Sequence, residues 1–274
     1  MPMRHSFTLL LLAMLTPLSA VAEESLDERI TPDVLEVFAS DAFEHQGFTL
    51  PYRLASPKVN ADERRPLLVF LHGYGERGQE NQRQLIHGGR TFASQDFRER
   101  YRAFVLAPQC PDGVEPGTDE QRVWTRRLER EATPENDVQQ APTAQLAAAV
   151  ALVDHLIATQ PIDADRVYVC GLSMGGYATW ELAARSPERW AAAAPICGAG
   201  DPGHAAKLVS LPIWALHGDA DFVIPVERSR EMVAAITAAG GRPILTEYAG
   251  VGHDSWTPTF QSQHVWDWLF AQRR

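Results

Sequence analysis

A serine stands at the centre of Gly171-Leu172-Ser173-Met174-Gly175, two aspartates follow at Asp219 and Asp221, and a histidine comes later at His253. A hydroxyl is a poor nucleophile until a base takes its proton, and the base needs an acid to hold its tautomer. Serine, then acid, then histidine is a chain order that supplies all three parts. The serine's context is specific, because "RVYVCG" reads as a buried strand and "GGYATWELAA" as a helix. A sharp strand-to-helix turn strains its central residue and leaves no room for side chains two positions either side, so Gly171 and Gly175 are required. The same turn lifts the Ser173 hydroxyl to a helix N-terminus, where backbone N–H groups favour developing negative charge. The competing reading, an ordinary helix N-cap serine, is weaker with a strand before it and a helix after it.

Of the two acids, Asp221 is preferred. It precedes Phe222-Val223-Ile224-Pro225, and Pro225 fixes the start of the next helix, whereas Asp219 suits a turn or cap. His253 lies in "YAGVGHDSW" among glycines that let the loop carry the imidazole over the serine, and its neighbour Asp254 reads as a solvated loop carboxylate. The chain has nine histidines, but His72, His87, His217 and His264 have no obvious base role, and none forms a zinc-ligand spacing such as H-E-x-x-H. No metal is expected.

A second motif competes for attention. Gly73-Tyr74-Gly75-Glu76-Arg77-Gly78 fits the G-x-G-x-x-G pattern that seats a pyrophosphate. A dinucleotide fold would end its second strand in an acid for the ribose hydroxyls. Here that strand, "AFVLAPQ", ends in Gln109, so no cofactor is expected.

The elements that must position these groups are short apolar runs separated by helical stretches. Strands are expected over 66–73, 103–109, 166–171, 191–198, 212–218 and 243–250, each apolar on both faces, which implies a parallel sheet covered by helices. Helices are expected over 143–160, 175–186, 225–240 and 259–274. Upstream, two extended runs broken by His45-Gln46-Gly47 read as an antiparallel hairpin at the sheet edge. The fold class is therefore α/β, a mostly parallel central sheet with helices on both faces and an N-terminal antiparallel edge hairpin. The stretch 110–142 breaks the rhythm, being polar, rich in Pro and Gly, and long enough to act as a lid.

The chain opens with Arg4 and His5, an apolar run from Phe7 to Leu18 too short to span a bilayer, and Ala20 and Ala22 in A-x-A register. Residues 1–22 thus read as a signal peptide, with export to the periplasm or beyond, and 23–274 as one catalytic domain of about 250 residues. The formal net charge of −10 and only two lysines, Lys58 and Lys207, argue against nucleic acid as a partner. Cys110, Cys170 and Cys197 leave at least one thiol free in a compartment that permits disulfides. Cys170 reads as a buried strand residue, and a Cys110–Cys197 bridge is conceivable.

Taken together, "FLHGYGERG", "APQCP", "DRVYVCGLSMGGYATWELAARSPERWAAAAPICGAGD", "HGDADFVIP" and "GVGHDSW" resemble the α/β-hydrolase superfamily. Within it they are similar to secreted esterases grouped with phospholipase/carboxylesterases and polyhydroxybutyrate-depolymerase-like enzymes, some labelled predicted peptidases. The resemblance runs from about residue 38 to the C-terminus. It implies that the Tyr74 and Met174 amides form an oxyanion hole, that Gly73 and Gly75 allow close approach of an acyl oxyanion, and that His72 braces the loop. Glu76 and Arg77 could pair with each other or face the pocket. Trp124 and Trp256 are pocket-wall candidates, with satellite-core packing as the alternative. Arg122, Arg126, Arg127 and Arg130 could attract a substrate carboxylate or form a solvated face. The implied activity is serine-dependent hydrolysis of small or polymeric carboxylic esters through Ser173, His253 and Asp221, with no cofactor. A serine peptidase uses the same machinery, a thioesterase is disfavoured by export, and a non-catalytic binding protein would more usually have lost a triad member.

Overall fold

The computed structural model describes residues 29–115, 118, 120–126, 138 and 140–274. The segment read as a signal peptide lies outside the described residues, as do Arg127 and Arg130. Helix α1 (Pro32–Val37) leads into β1 (Phe38–His45) and β2 (Phe48–Ala55). These pair antiparallel in register from Phe38↔Ala55 to His45↔Phe48. Gln46 and Gly47 both take positive φ, +50° and +79°, the two-residue turn whose twist matches a hairpin.

Next come β3 (Arg65–Leu71), α2 (Gly89–Ala93), α3 (Gln95–Tyr101) and β4 (Phe104–Pro108). Five helices and four strands complete the described chain: α4 (Ala144–Thr159), β5 (Ile162–Leu172), α5 (Met174–Arg185), β6 (Ala192–Ile196), β7 (Trp214–Gly218), α6 (Glu227–Ala238), β8 (Ile244–Tyr248), α7 (Trp256–Gln261) and α8 (Gln263–Ala271). One eight-stranded sheet runs in the order β1-β2-β4-β3-β5-β6-β7-β8. The six strands β4-β3-β5-β6-β7-β8 are parallel to one another, and β2 joins β4 antiparallel.

Side-chain alternation along β3 shows why the sheet is covered twice. Leu67, Val69 and Leu71 enter one core with Leu152 and Leu156 of α4, Leu182 of α5, and Met232 and Ile236 of α6. Leu68 and Phe70 enter the other core with Phe92 of α2, Phe97 of α3, Phe260 of α7, and Trp266 and Phe270 of α8. Cys110 belongs to the first core and Cys197 to the second. The conceivable bridge between them is therefore absent, the thiols lying on opposite faces of the sheet, and all three cysteines are buried and free.

Two expected elements differ. Strand β8 is not buried on both faces: it borders only β7, and its residues are half-buried or exposed. The expected 259–274 helix is two helices, broken where Ser262 turns extended (φ −83°, ψ 101°). Trp266 Nε1–H then caps the Phe260 carbonyl that the break frees. Among the described residues, no helix is long and apolar enough to cross a membrane.

Candidate active site

At the end of β5 the chain turns into α5 through Ser173, whose φ of +52° and ψ of −115° are unusual for a residue with a side chain. The glycines around it are held by sterics. A Cβ on Gly175 would overlap the Leu71 carbonyl, and one on Gly171 would press on the Gly175 carbonyl and sit 2.7 Å from Leu71 O.

At the end of β7 a similar constraint seats the histidine loop. A Cβ on Gly218 would overlap the Val251 and Gly252 carbonyls, so only glycine lets that loop lie against the strand. Ala220 N–H donates to Val251 O at 3.0 Å, and Asp219 Oδ1 accepts from Gly250 N–H at 2.7 Å. Asp219 thus pins the loop, while Asp221 faces inward. Asp221 Oδ1 accepts from the Val223 and Ile224 N–H groups at 2.9 Å each. Its Oδ2 lies 2.7 Å from His253 Nδ1, and His253 Nε2 lies 2.9 Å from Ser173 Oγ. Asp221 is buried and the His253 side chain is 19% exposed, so the chain of bonds opens to solvent at its serine end. Asp254 is exposed and accepts from Thr257 N–H in the first turn of α7.

The Gly-rich loop lies beside the serine, since a Cβ on Gly73 would come within 3.6 Å of Ser173 Cβ. A Cβ on Gly75 would meet no protein atom within 4 Å, so no packing within the protein requires a glycine there. Tyr74 begins a 3-10 turn (Tyr74–Glu76) and Met174 begins α5. Neither backbone N–H has an acceptor among the described residues, which leaves both free for an oxyanion. His72 braces the loop from below. Its Nε2 accepts from Cys110 N–H at 2.9 Å, so Nδ1 carries the proton and donates to Gly73 O at 2.7 Å. Burial pushes its pKa down to about 4 and keeps it neutral.

Glu76 and Arg77 do not pair with each other. Arg77 stacks on the Tyr74 ring at 3.5 Å and donates to the Tyr74 and Arg122 carbonyls. Glu76 is buried and faces His87, 3.5 Å away. Burial pushes its carboxyl up, but the His87 hydrogen bond, with smaller help from the neighbouring imidazoles and the Gly73 backbone, outweighs this, and it sits below the ordinary glutamate range. Gln109, where an acid would serve a ribose, instead donates to Glu76 O and Glu80 Oε1 and holds the loop.

The two tryptophans part company. Trp256 is half-buried and meets the His253 ring edge-on at 5.3 Å and the tilted His87 ring at 5.0 Å. Trp124 is fully buried in the core, 5.3 Å from the His72 ring, and so is no open pocket wall. Its apolar bulk fills the space beneath the loop. Arg122 and Arg126 lie near Glu115 and Glu120, at 3.6 and 3.8 Å, rather than standing as unpaired cations.

The sequence did not flag His217, His87 and Cys197 as site residues. His217 was readable in principle from its spacing of four from Asp221, but its contact is made by a turn, not a helix. Cys197 Sγ lies within 4.8 Å of ligand atoms of Asp221 and His253, and these are the only three such groups close enough for a metal among the described residues. Burial pushes its thiol far above the ordinary range, and the Asp221 oxygens are already engaged, so the donor set suits a proton relay better than a cation.

A mixed sheet of this strand order, covered on both faces, with a nucleophile turn after β5, is the α/β-hydrolase fold. The chain belongs to the phospholipase/carboxylesterase family, whose model matches residues 55–265. It is 32% identical over 202 residues to NocK of Nocardia uniformis subsp. tsuyamanensis, a protein named as an esterase, covering 72% of this chain and 52% of NocK. A solved thermostable esterase is 38% identical with a TM-score of 0.77, covering 88% of this chain and 64% of its own. An acylaminoacyl peptidase solved with a chloromethyl ketone shares the fold alone, at 16% identity and a TM-score of 0.59, over 86% of this chain and 41% of its own. The chain thus spans about half the length of NocK and under two thirds of the thermostable esterase.

Proposed function

We propose that this protein is an exported serine hydrolase that cleaves carboxylic esters. One observation carries the reading: the unbroken Ser173–His253–Asp221 chain, with bonds of 2.9 and 2.7 Å, at the nucleophile turn of a carboxylesterase-family fold. Ser173 Oγ attacks the acyl carbon while His253 Nε2 takes its proton, and Asp221 holds the Nδ1–H tautomer that leaves Nε2 free. The Tyr74 and Met174 N–H groups receive the oxyanion, and His253 returns its proton to the leaving alcohol. Water then gives a proton to His253 Nε2 and attacks the acyl carbon, and as the bond to Ser173 Oγ breaks His253 passes that proton to Oγ and the acid leaves. No cofactor enters these steps. Trp256 forms the wall beside the imidazole. Export is supported by the basic leader, the apolar run from Phe7 to Leu18 and the Ala20–Ala22 register.

The test is hydrolysis of a graded series of p-nitrophenyl esters, with a matched peptide p-nitroanilide, by the wild type and Ser173→Ala. Ester turnover that disappears in the variant supports the reading. Cleavage of the anilide alone would convert it to a peptidase, and a folded protein that cleaves neither would end the enzymatic reading.

A further inference from the structure

Behind the catalytic aspartate lies a second histidine. His217, at the end of β7, is fully buried, and its Nε2 lies 2.8 Å from Ile224 O and 3.2 Å from Asp221 Oδ2. Both neighbours are acceptors, because a carbonyl cannot donate, so Nε2 carries the proton. It points at Ile224 O and leans on Asp221 Oδ2, a shared arrangement familiar for N–H donors. On the other side of the ring, Nδ1 lies 2.8 Å from Ser229 Oγ in the first turn of α6. With Nε2 protonated, Nδ1 of the neutral ring accepts from the Ser229 hydroxyl. Burial pushes the ring below the ordinary histidine range despite the pull of Ile224 O and Asp221, in keeping with that neutral form.

The result is a closed brace. Ile224 takes the His217 proton on its carbonyl and gives its own N–H to Asp221 Oδ1. His217 therefore touches the carboxylate at Oδ2 directly and at Oδ1 through Ile224. His253 takes up the remaining side of Oδ2. Building on the proposed function, we propose that His217, set by Ser229, is a positioning residue that fixes the Asp221 carboxylate toward His253. The hydrogen-bonded line then runs Ser229, His217, Ile224, Asp221, His253, Ser173, from the core to the nucleophile.

The experiment compares His217→Leu, His217→Gln and Ser229→Ala with the wild type. It reads kcat and KM on a p-nitrophenyl ester, thermal melting, and the low-field proton resonance of His253 Nδ1–H. A glutamine amide can donate to Ile224 O and accept from Ser229, and leucine can do neither. The expected result is a folded His217→Leu protein with kcat lowered by about tenfold or more, the worth of a hydrogen bond to a charged group. Its KM is little changed and the His253 resonance is displaced. His217→Gln recovers most of both, and Ser229→Ala falls between. A folded His217→Leu protein with wild-type kcat and resonance overturns the proposal. So do leucine and glutamine variants that lose activity alike, in proportion to their melting temperatures. If His217→Leu does not fold, Ser229→Ala decides in the same two ways. The resonance is read without substrate, so failure of the ester reading leaves the test of His217 intact.

Discussion

Asp219 and Asp221 are two residues apart and have different work. Asp221 offers both oxygens to the site, two backbone N–H groups on Oδ1 and His253 on Oδ2, while Asp219 ties the turn to Gly250. Converting Asp221 to Asn leaves the shape but puts an amide where His253 Nδ1–H needs an acceptor, so the imidazole loses the tautomer that leaves Nε2 free. The expected loss in kcat for Asp221→Asn is on the order of a thousandfold or more. Asp219→Asn still places an acceptor oxygen near Gly250 N–H, and its kcat should stay within about threefold of wild type. Steady-state kinetics on one ester compare the two. Equal losses would mean that the acid is not assigned to the right side chain.

The turn between β5 and α5 depends on the strand beside it as much as on its own residues. Gly175 rests against the carbonyl of Leu71, the last residue of β3, and Gly171 against both Leu71 and Gly175. A methyl group at 175 must push two backbones apart, since neither neighbour is a flexible side chain. Gly175→Ala should therefore cost more than about 2 kcal/mol in urea unfolding and remove ester turnover together. A variant as stable and active as wild type would show that the turn has slack the packing does not suggest. These glycines were legible in the sequence because the strand, the turn and the helix each leave a local signature. The two buried faces of β3 and the hairpin turn at Gln46-Gly47 were legible for the same reason. Strand β8 was not, because "PILTEYAG" has the composition of a core strand and only the sheet order places it at the edge. The break at Ser262 was hidden too, since the bond from Trp266 to Phe260 O that compensates it joins residues on two separate helices. Trp124 shows the limit of motif reasoning. It sits in a stretch, 110–142, that is mostly polar, yet its side chain fills the core under His72. The contacts of Glu76 with His87 and of His217 with Ser229 join distant or turn-separated residues, and no periodicity announces them.

Both sides of the site rest on buried neutral histidines, His72 under the Gly-rich loop and His217 behind Asp221, and this ties the stability of the fold to pH. The folded pKa of His72 is about 4, against 6.5 for the free side chain. Between those values the unfolded chain binds a proton that the folded chain refuses, so stability falls as pH falls through this window and levels off below it. A gap of this size corresponds to a few kcal/mol for His72 when fully expressed. His217 is shifted in the same direction by burial and adds to the same slope. Glu76, held below the ordinary glutamate range, acts at lower pH in the same sense, because its stabilising charge is present above about 4.5 and is lost on further acidification. Thermal melting from pH 8 to pH 4 should therefore show a steady decline beginning near pH 6.5. In His72→Asn the amide can still donate to Gly73 O, so the protein should fold, less stable at pH 8 but with a shallower fall on acidification. The curves of wild type and variant should converge toward pH 4, where protonation of His72 in the unfolded chain has taken back what its burial as a neutral ring contributed. Parallel curves would mean that His72 does not gate the acid response, and that the decline belongs to His217 and the carboxylates alone.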